Sequence, residues 1–326
     1  MSRMTATVAA ALTAAALTLS ACSGGEDGGT DTAAGDALQV VASTDVYGSI
    51  LGSVGGEHVS VRSIIDRPTQ DPHSYEATAR DRLAVSDAQL VVLNGGGYDS
   101  FMETLVAEEQ VPEEDVLNAV EISGLDTGTE DHADEHADDA AEESGDHAGH
   151  SHGAFNEHVW YSPQAMGLLA EAAAERLAEL DPDNAEAFRA NAADFGDGID
   201  ALLERLAALR PEAEGRDVAV TEPVPNYLLE DAGLHNVTPD DFTEAVEEGS
   251  DVPVAVLNDM EQLVRSGDLA FLAYNSQTAS AQTETVRRAA EDDGVPVLDF
   301  SETLPEGEDY LQWMDANVES IEGVLR

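Results

Sequence analysis

Asn184–Leu209 carries apolar residues three or four positions apart, at Ile199, Leu202, Leu203, Leu206 and Leu209, the signature of one long helix. Such a helix spans about 39 Å at 1.5 Å per residue, enough to run the length of a small lobe and join it to a second. A chain of 326 residues has room for two domains. The flanks fit that division. Before the helix, Leu38–Ser43, Val59–Ile65 and Leu90–Asn94 read as strands, with a short strand near Val116–Ile122. Between them, Val46–Val54, Ala77–Asp87 and Ser100–Ala107 read as helices, with Leu83 and Val85 facing inward. Pro163–Leu180 repeats the helical spacing through Met166, Leu168, Leu169, Ala172, Ala173 and Leu177, and Asp181-Pro182-Asp183 ends it. Beyond the long helix, Val218–Thr221, Leu269–Tyr274 and Val295–Phe300 are strand-like, and Ala279–Asp292 and Asp309–Leu325 helical. Strands alternating with helices predict an α/β fold of parallel sheets flanked by helices. The lobes fall at about 38–180 and 217–326, with residues 184–212 as the linker helix.

Charge excludes several functions. The chain has 67 acidic and 14 basic residues, every basic one an arginine, for a net charge of −53. Phosphate neutralisation needs Lys and Arg, so nucleic acid is not a partner, and a polybasic membrane contact is excluded as well. A strongly acidic surface raises the local concentration of cations without selecting one.

The N-terminus reads as an export signal. Arg3 precedes an apolar run from Thr7 to about Leu19, too short for an ordinary transmembrane helix. It ends Leu19-Ser20-Ala21-Cys22, which resembles a bacterial lipobox. Residues 1–21 would then be the signal peptide and Cys22 the lipidated first residue of the mature chain. Residues 22–37 are rich in Gly, Ser, Thr, Ala and acid, and read as a flexible tether. Cys22 is the only cysteine, so the folded part has neither a disulfide framework nor a thiolate metal site.

Five of the nine histidines, His132, His136, His147, His150 and His152, fall in DHADEHADDAAEESGDHAGHSHG, within a polar loop at about 126–153. Its only apolar side chains are alanines, so it cannot bury a core and is expected to be disordered. Imidazole ligates Zn²⁺, Ni²⁺ and Cu²⁺, which makes the tract an expected auxiliary metal collector.

Three residues elsewhere could form a defined site. His73 follows the second strand in Gln70-Asp71-Pro72-His73-Ser74-Tyr75-Glu76, and open α/β sheets bind ligands at the carboxyl ends of their strands. His158 lies in Asn156-Glu157-His158-Val159-Trp160-Tyr161-Ser162-Pro163, where extended alternation would put His158 and Trp160 on one side. Glu222 follows a strand directly, in Val220-Thr221-Glu222-Pro223. Two imidazoles and a carboxylate drawn from both lobes suit Zn²⁺ or Mn²⁺. Asn94-Gly95-Gly96-Gly97 lacks the spacing of a phosphate cradle and reads as a tight turn.

At these motifs, and at Tyr274-Asn275-Ser276-Gln277, the chain resembles the zinc/manganese solute-binding lipoproteins of bacterial ABC metal importers, from about Leu38 to the C-terminus. The resemblance implies two small α/β lobes joined by a rigid helix, with one metal ion in the cleft and His73, His158 and Glu222 as ligands. Some relatives place an Asp after the strand matching Leu269–Tyr274, where this chain has no carboxylate. That leaves water, Gln277, Asn275 or a second oxygen of Glu222 for the fourth position. Glu at position 222 is the manganese-type choice, whereas the His-rich tract resembles the loop of zinc-type relatives, and zinc is favoured. The implied function is capture of Zn²⁺ outside the cytoplasmic membrane and delivery to an ABC permease and its ATPase. The protein would be a monomer, lipid-anchored at Cys22 and without enzymatic turnover.

Two rivals are a lipid-anchored metal buffer or adhesin, and an anchored metallohydrolase. The latter needs a general base. Glu157 is the only candidate, strand alternation points it away, and neither HExxH nor GxSxG occurs.

Overall fold

In the computed structural model, residues 37–126 and 155–326 are described. β1 (Leu38–Thr44), α1 (Asp45–Gly55) and β2 (Val59–Ile65) open the first lobe, followed by α2 (Ala79–Asp87), β3 (Leu90–Leu93), α3 (Ser100–Glu109), β4 (Val116–Asn118) and α4 (Ala119–Ser123). All pairings are parallel, in the order β2-β1-β3-β4. β1 and β3 are buried at every position but Gln39 because helices cover both faces of the sheet. The run expected as one strand near Val116–Ile122 splits in two. The Asn118 side chain accepts from the Glu121 N–H at 3.3 Å and starts α4. Leu83, expected to face inward with Val85, is 60% exposed, while Val85 is buried as expected.

α5 (Pro163–Leu180) and α6 (Ala185–Ala213) follow. α5 buries Met166, Leu169, Ala173 and Leu177 as expected, while Leu168 is 40% exposed. α6 is one unbroken helix of 29 residues, about 43 Å long. Its buried stripe runs Phe188, Ala192, Phe195, Ile199, Leu202, Leu206, Leu209 and Ala213, at steps of three or four.

The second lobe repeats the first. β5 (Asp217–Val220), α7 (Asn226–Ala232), β6 (His235–Asn236), α8 (Asp240–Glu247), α9 (Val254–Arg265), β7 (Leu269–Asn275), α10 (Thr283–Asp293), β8 (Val297–Phe300) and α11 (Tyr310–Leu325) follow in order. The sheet is again all parallel, in the order β6-β5-β7-β8. In each lobe the strand order reverses between the first strand and the third, opening a crevice at the carboxyl ends of the strands.

The described residues form one unit, and a single apolar cluster runs through both lobes. It joins Val40 and Val92 of the first sheet to Val218, Val220 and Phe271 of the second through α1, α5, α6 and α11. Each sheet has a smaller cluster on its other face, under α2 and α3 or under α8, α9 and α10. Interlobe hydrogen bonds pin the same seam. Tyr161 Oη donates to Ser301 O at 2.7 Å, Tyr310 Oη to Trp160 O at 2.8 Å, and Tyr227 Oη to Asn156 O at 2.6 Å. A wide hinge motion would expose this shared core, and truncation of a buried Phe such as Phe188 costs about 3–5 kcal/mol. No helix among the described residues is long and apolar enough to cross a membrane.

Candidate metal centre

His73 is set by its own short motif. Pro72 holds Asp71 extended, with φ −91° and ψ 119°. Asp71 Oδ1 then accepts from His73 N at 3.0 Å and Oδ2 from Ser74 Oγ at 2.7 Å, fixing a 3-10 turn over Pro72–Ser74. The His73 ring meets the buried Tyr98 edge-on, with centroids 5.0 Å apart, and the His158 ring at 6.4 Å.

Tyr98 reaches the site through the glycine turn after β3. Gly95, Gly96 and Gly97 have φ of +80°, +65° and +94°, which only glycine adopts readily, and a Cβ on Gly95 would lie 2.3 Å from Asn118 Oδ1. Both carboxylate oxygens of the buried Asp99 close the turn, accepting from Asn94 N at 2.7 Å and Gly95 N at 2.9 Å.

His158 does not lie in a strand. It caps a 3-10 turn over Val159–Tyr161, so the expected alternation fails here. Its tautomer follows from its neighbours. Asn156 Nδ2 donates to Pro223 O at 3.0 Å, which turns Asn156 Oδ1 toward the imidazole, 2.7 Å from Nδ1. Nδ1 therefore carries the proton, and the lone pair is on Nε2. Burial pushes the imidazole well below its usual pKa, with His73 adding to the effect, so the ring is neutral.

The second lobe supplies carboxylates. Glu302, two residues past β8, is 4% exposed. Its Oε1 accepts from Asn275 Nδ2 at 2.7 Å and its Oε2 from Tyr98 Oη at 3.1 Å. Glu222, buried just past β5, accepts from Asn275 Nδ2 and Thr278 Oγ1. Asn275 thus bridges the two carboxylates. Burial raises Glu222 to about 8, helped by the charge of Glu302, and raises Glu302 as well. No arginine figures among the groups that act most on either. Two nearby acids share this condition. Glu157 is raised to about 7 and Glu247 to about 8, both chiefly by burial.

Among the described residues, two groups of three have ligand atoms within 4.8 Å of one another: His73, His158 and Glu302, and Glu157, His158 and Glu247. Glu222 is in neither; it touches the first group through Asn275. Gln277 and Asn275 are otherwise engaged. Asn275 Oδ1 accepts from Gln277 N at 3.0 Å, and Gln277 Nε2 donates to Thr303 Oγ1 at 2.9 Å and to Pro68 O at 3.2 Å. β7 is followed by no carboxylate, but one strand later the buried Glu302 comes close to both imidazoles. The same signal that marked Glu222, an acid directly after an apolar strand, marks it too. Glu157 faces His158 and Glu247, so the turn also overturns the expectation that strand alternation points it away. His132, His136, His147, His150, His152 and Cys22 lie outside the described residues.

Comparison with known proteins bears on this geometry. The chain is similar to the manganese-binding lipoprotein MntA of Halalkalibacterium halodurans, with 28% identity over 66% of this chain and 64% of the relative. It is 26% identical to the zinc-binding lipoprotein AdcA of Streptococcus pneumoniae serotype 4, over 82% of this chain and 52% of that protein. It is 25% identical to the manganese ABC transporter substrate-binding lipoprotein ScaA of Streptococcus gordonii, over 94% of this chain and 95% of that one. The chain thus spans about half to two thirds of the length of the first two relatives and nearly all of the third. Among solved structures, a ZnuA crystal structure matches with a TM-score of 0.66 and 20% identity, over 89% of this chain and 100% of that chain. The periplasmic zinc binding protein TroA of Treponema pallidum matches with a TM-score of 0.68 and 17% identity, over 89% and 99%. At such identities the two structures speak for the fold alone. The family model described as zinc-uptake complex component A, periplasmic, matches residues 40–324, which take in both sheets and the helix between them, and the chain belongs to that family.

Proposed function

We propose that this protein captures a divalent transition metal, Zn²⁺, in the cleft between its lobes and delivers it to an ABC-type permease with its ATPase, without chemical turnover. The observation that carries the reading is the convergence of two imidazoles from one lobe, the buried His158 ring neutral, with buried, arginine-free carboxylates from the other. A buried carboxylate without a cation is costly, and a metal ion supplies the missing charge. We assign His73, His158 and Glu302 as ligands, with Glu222, coupled to Glu302 through Asn275, as the fourth. The Asn156 contact presents His158 Nε2 to the ion, and Tyr98 and Asn275 orient Glu302. The shared core and interlobe hydrogen bonds favour small loop movements on loading over wide closure.

The remaining parts belong to the same proposal. Cys22 anchors the monomer to the outer face of the cytoplasmic membrane, as the lipoprotein names of relatives suggest. The five tract histidines collect metal when it is scarce. Mn²⁺ is the second reading, because two carboxylates beside two imidazoles suit it and two of these relatives are named for manganese.

Crystals of metal-loaded protein, measured with anomalous scattering at the zinc edge, test the assignment. The expected result is one peak about 2.0–2.2 Å from nitrogens of His73 and His158 and from oxygens of Glu302 and Glu222. A peak elsewhere, or none, overturns it.

A further inference from the structure

The Glu157–Glu247 group is not absorbed by the cleft. Glu157 is 2% exposed, yet its Oε1 has no hydrogen-bond partner. Its backbone is firmly held, the carbonyl accepting from Asn94 Nδ2 at 3.0 Å and from Val159 N at 2.7 Å. The backbone that carries this carboxylate is therefore fixed, and one carboxylate oxygen is left unsatisfied. Glu247, from the end of α8 in the other lobe, has its own buried Oε1 without a partner. That oxygen stands 4.0 Å from His158 Nδ1. The Nδ1 proton is already committed to Asn156, so it does not satisfy the two acids. Glu157 is buried and Glu247 half-buried, one oxygen of each has no partner, and two carboxylates this close disfavour being ionised together.

Both acids line a cavity of about 260 Å³ that is separate in its lining from the cleft ligands. Its other walls include Asn226, Asn236, Asp240 and Thr243, and among the described residues no basic side chain lines it. The donors are oxygens, and the space takes several waters at about 30 Å³ each. Oxygen ligands with retained water select a hard divalent cation over a thiophilic or imidazole-seeking one.

We propose that Glu157 and Glu247 hold a second divalent cation, of the hard, oxygen-preferring class, on the Nδ1 side of His158. This ion ties α8 of the second lobe to the loop that carries His158, and it neutralises the wall behind the cleft. The site does not depend on which metal the cleft transports.

Calcium alone is the probe, since imidazoles suit it poorly. Metal-free full-length protein is titrated with Ca²⁺ by calorimetry at about 0.15 M ionic strength, where diffuse surface attraction is screened. The expected result is one equivalent bound, retained in His73→Ala and weakened at least about tenfold in Glu157→Gln and in Glu247→Gln. A parallel Zn²⁺ titration keeps its single tightest equivalent, the cleft ion, in the two Gln variants, which shows that they fold. Absence of Ca²⁺ binding in the unmodified protein, or equal binding in both Gln variants, overturns the proposal. Loss of Ca²⁺ binding in His73→Ala overturns it too, by placing the ion in the cleft. Loss of Zn²⁺ binding with Ca²⁺ binding intact would instead strike the cleft assignment.

Discussion

The two lobes share one strand order and face each other with the same ends of their sheets, yet they bring opposite kinds of donor. The first lobe offers imidazoles whose geometry is complete before any ion arrives. His73 is held by Asp71, and His158 by Asn156. Both braces are local, two residues away in sequence, and the buried His158 ring pays no charge penalty while neutral. The second lobe offers Glu222 and Glu302, held by the bridging amide of Asn275 and burdened by burial and by each other. On the proposed assignment, the first lobe is preorganised, and the second is strained until a cation enters. One fold can thus divide positioning from driving force, because caps beside a ligand cost little while buried like charges store an unfavourable interaction that the ion relieves.

The contrast breaks first at the imidazoles. His73→Ala should lower Zn²⁺ affinity by more than about a hundredfold and leave the melting temperature of the metal-free protein nearly unchanged, as competition calorimetry and thermal unfolding would report. Glu302→Gln should lower affinity by about 10–100-fold and raise the metal-free melting temperature, because the variant keeps the amide contacts and removes the buried charge. If both variants move stability in the same direction, the division of labour is wrong. The smallest effect is in pH. Glu222 has a folded pKa of about 8, above the carboxylate value of 4.5, so its folded form gains a proton that the unfolded chain does not hold near neutrality. Its contribution to stability is present at low pH and lost as pH rises through about 8. The buried, neutral His158 works the other way, and only below the usual imidazole range. Between pH 6.5 and 8.5 the metal-free protein should therefore melt lower as pH rises, at about 2–4 °C per kcal/mol. Saturating Zn²⁺ should remove or reverse that slope, since it binds the ionised carboxylates.

Residues with strong local patterns were legible without coordinates. Val59–Ile65 and Pro163–Leu180 read from the sequence with the bounds they have in the structure, because a short β-branched run and a capped apolar stripe each favour one periodicity. Between Glu222 and Leu269 the sequence assigned no element. α7, α8 and β6 are short, and α9 begins at Val254, which is 76% exposed, so no long apolar stripe marks them. Leu83 looked like a core residue and is exposed, since α2 needs only Val85 to cover its edge of the sheet.

Sequence alone determined the alternation of strands and helices, the long helix, the acidic surface and the Asp71-Pro72-His73-Ser74 motif that prepares His73, because each depends on neighbours a few residues away. Only tertiary structure decided that Glu302 approaches His73 and His158, that Glu222 stands behind Asn275, and that Glu157 and Glu247 meet. Those approaches join lobes far apart in the chain, and the register of two sheets against one shared helix fixes them. No spacing along the polypeptide records that geometry.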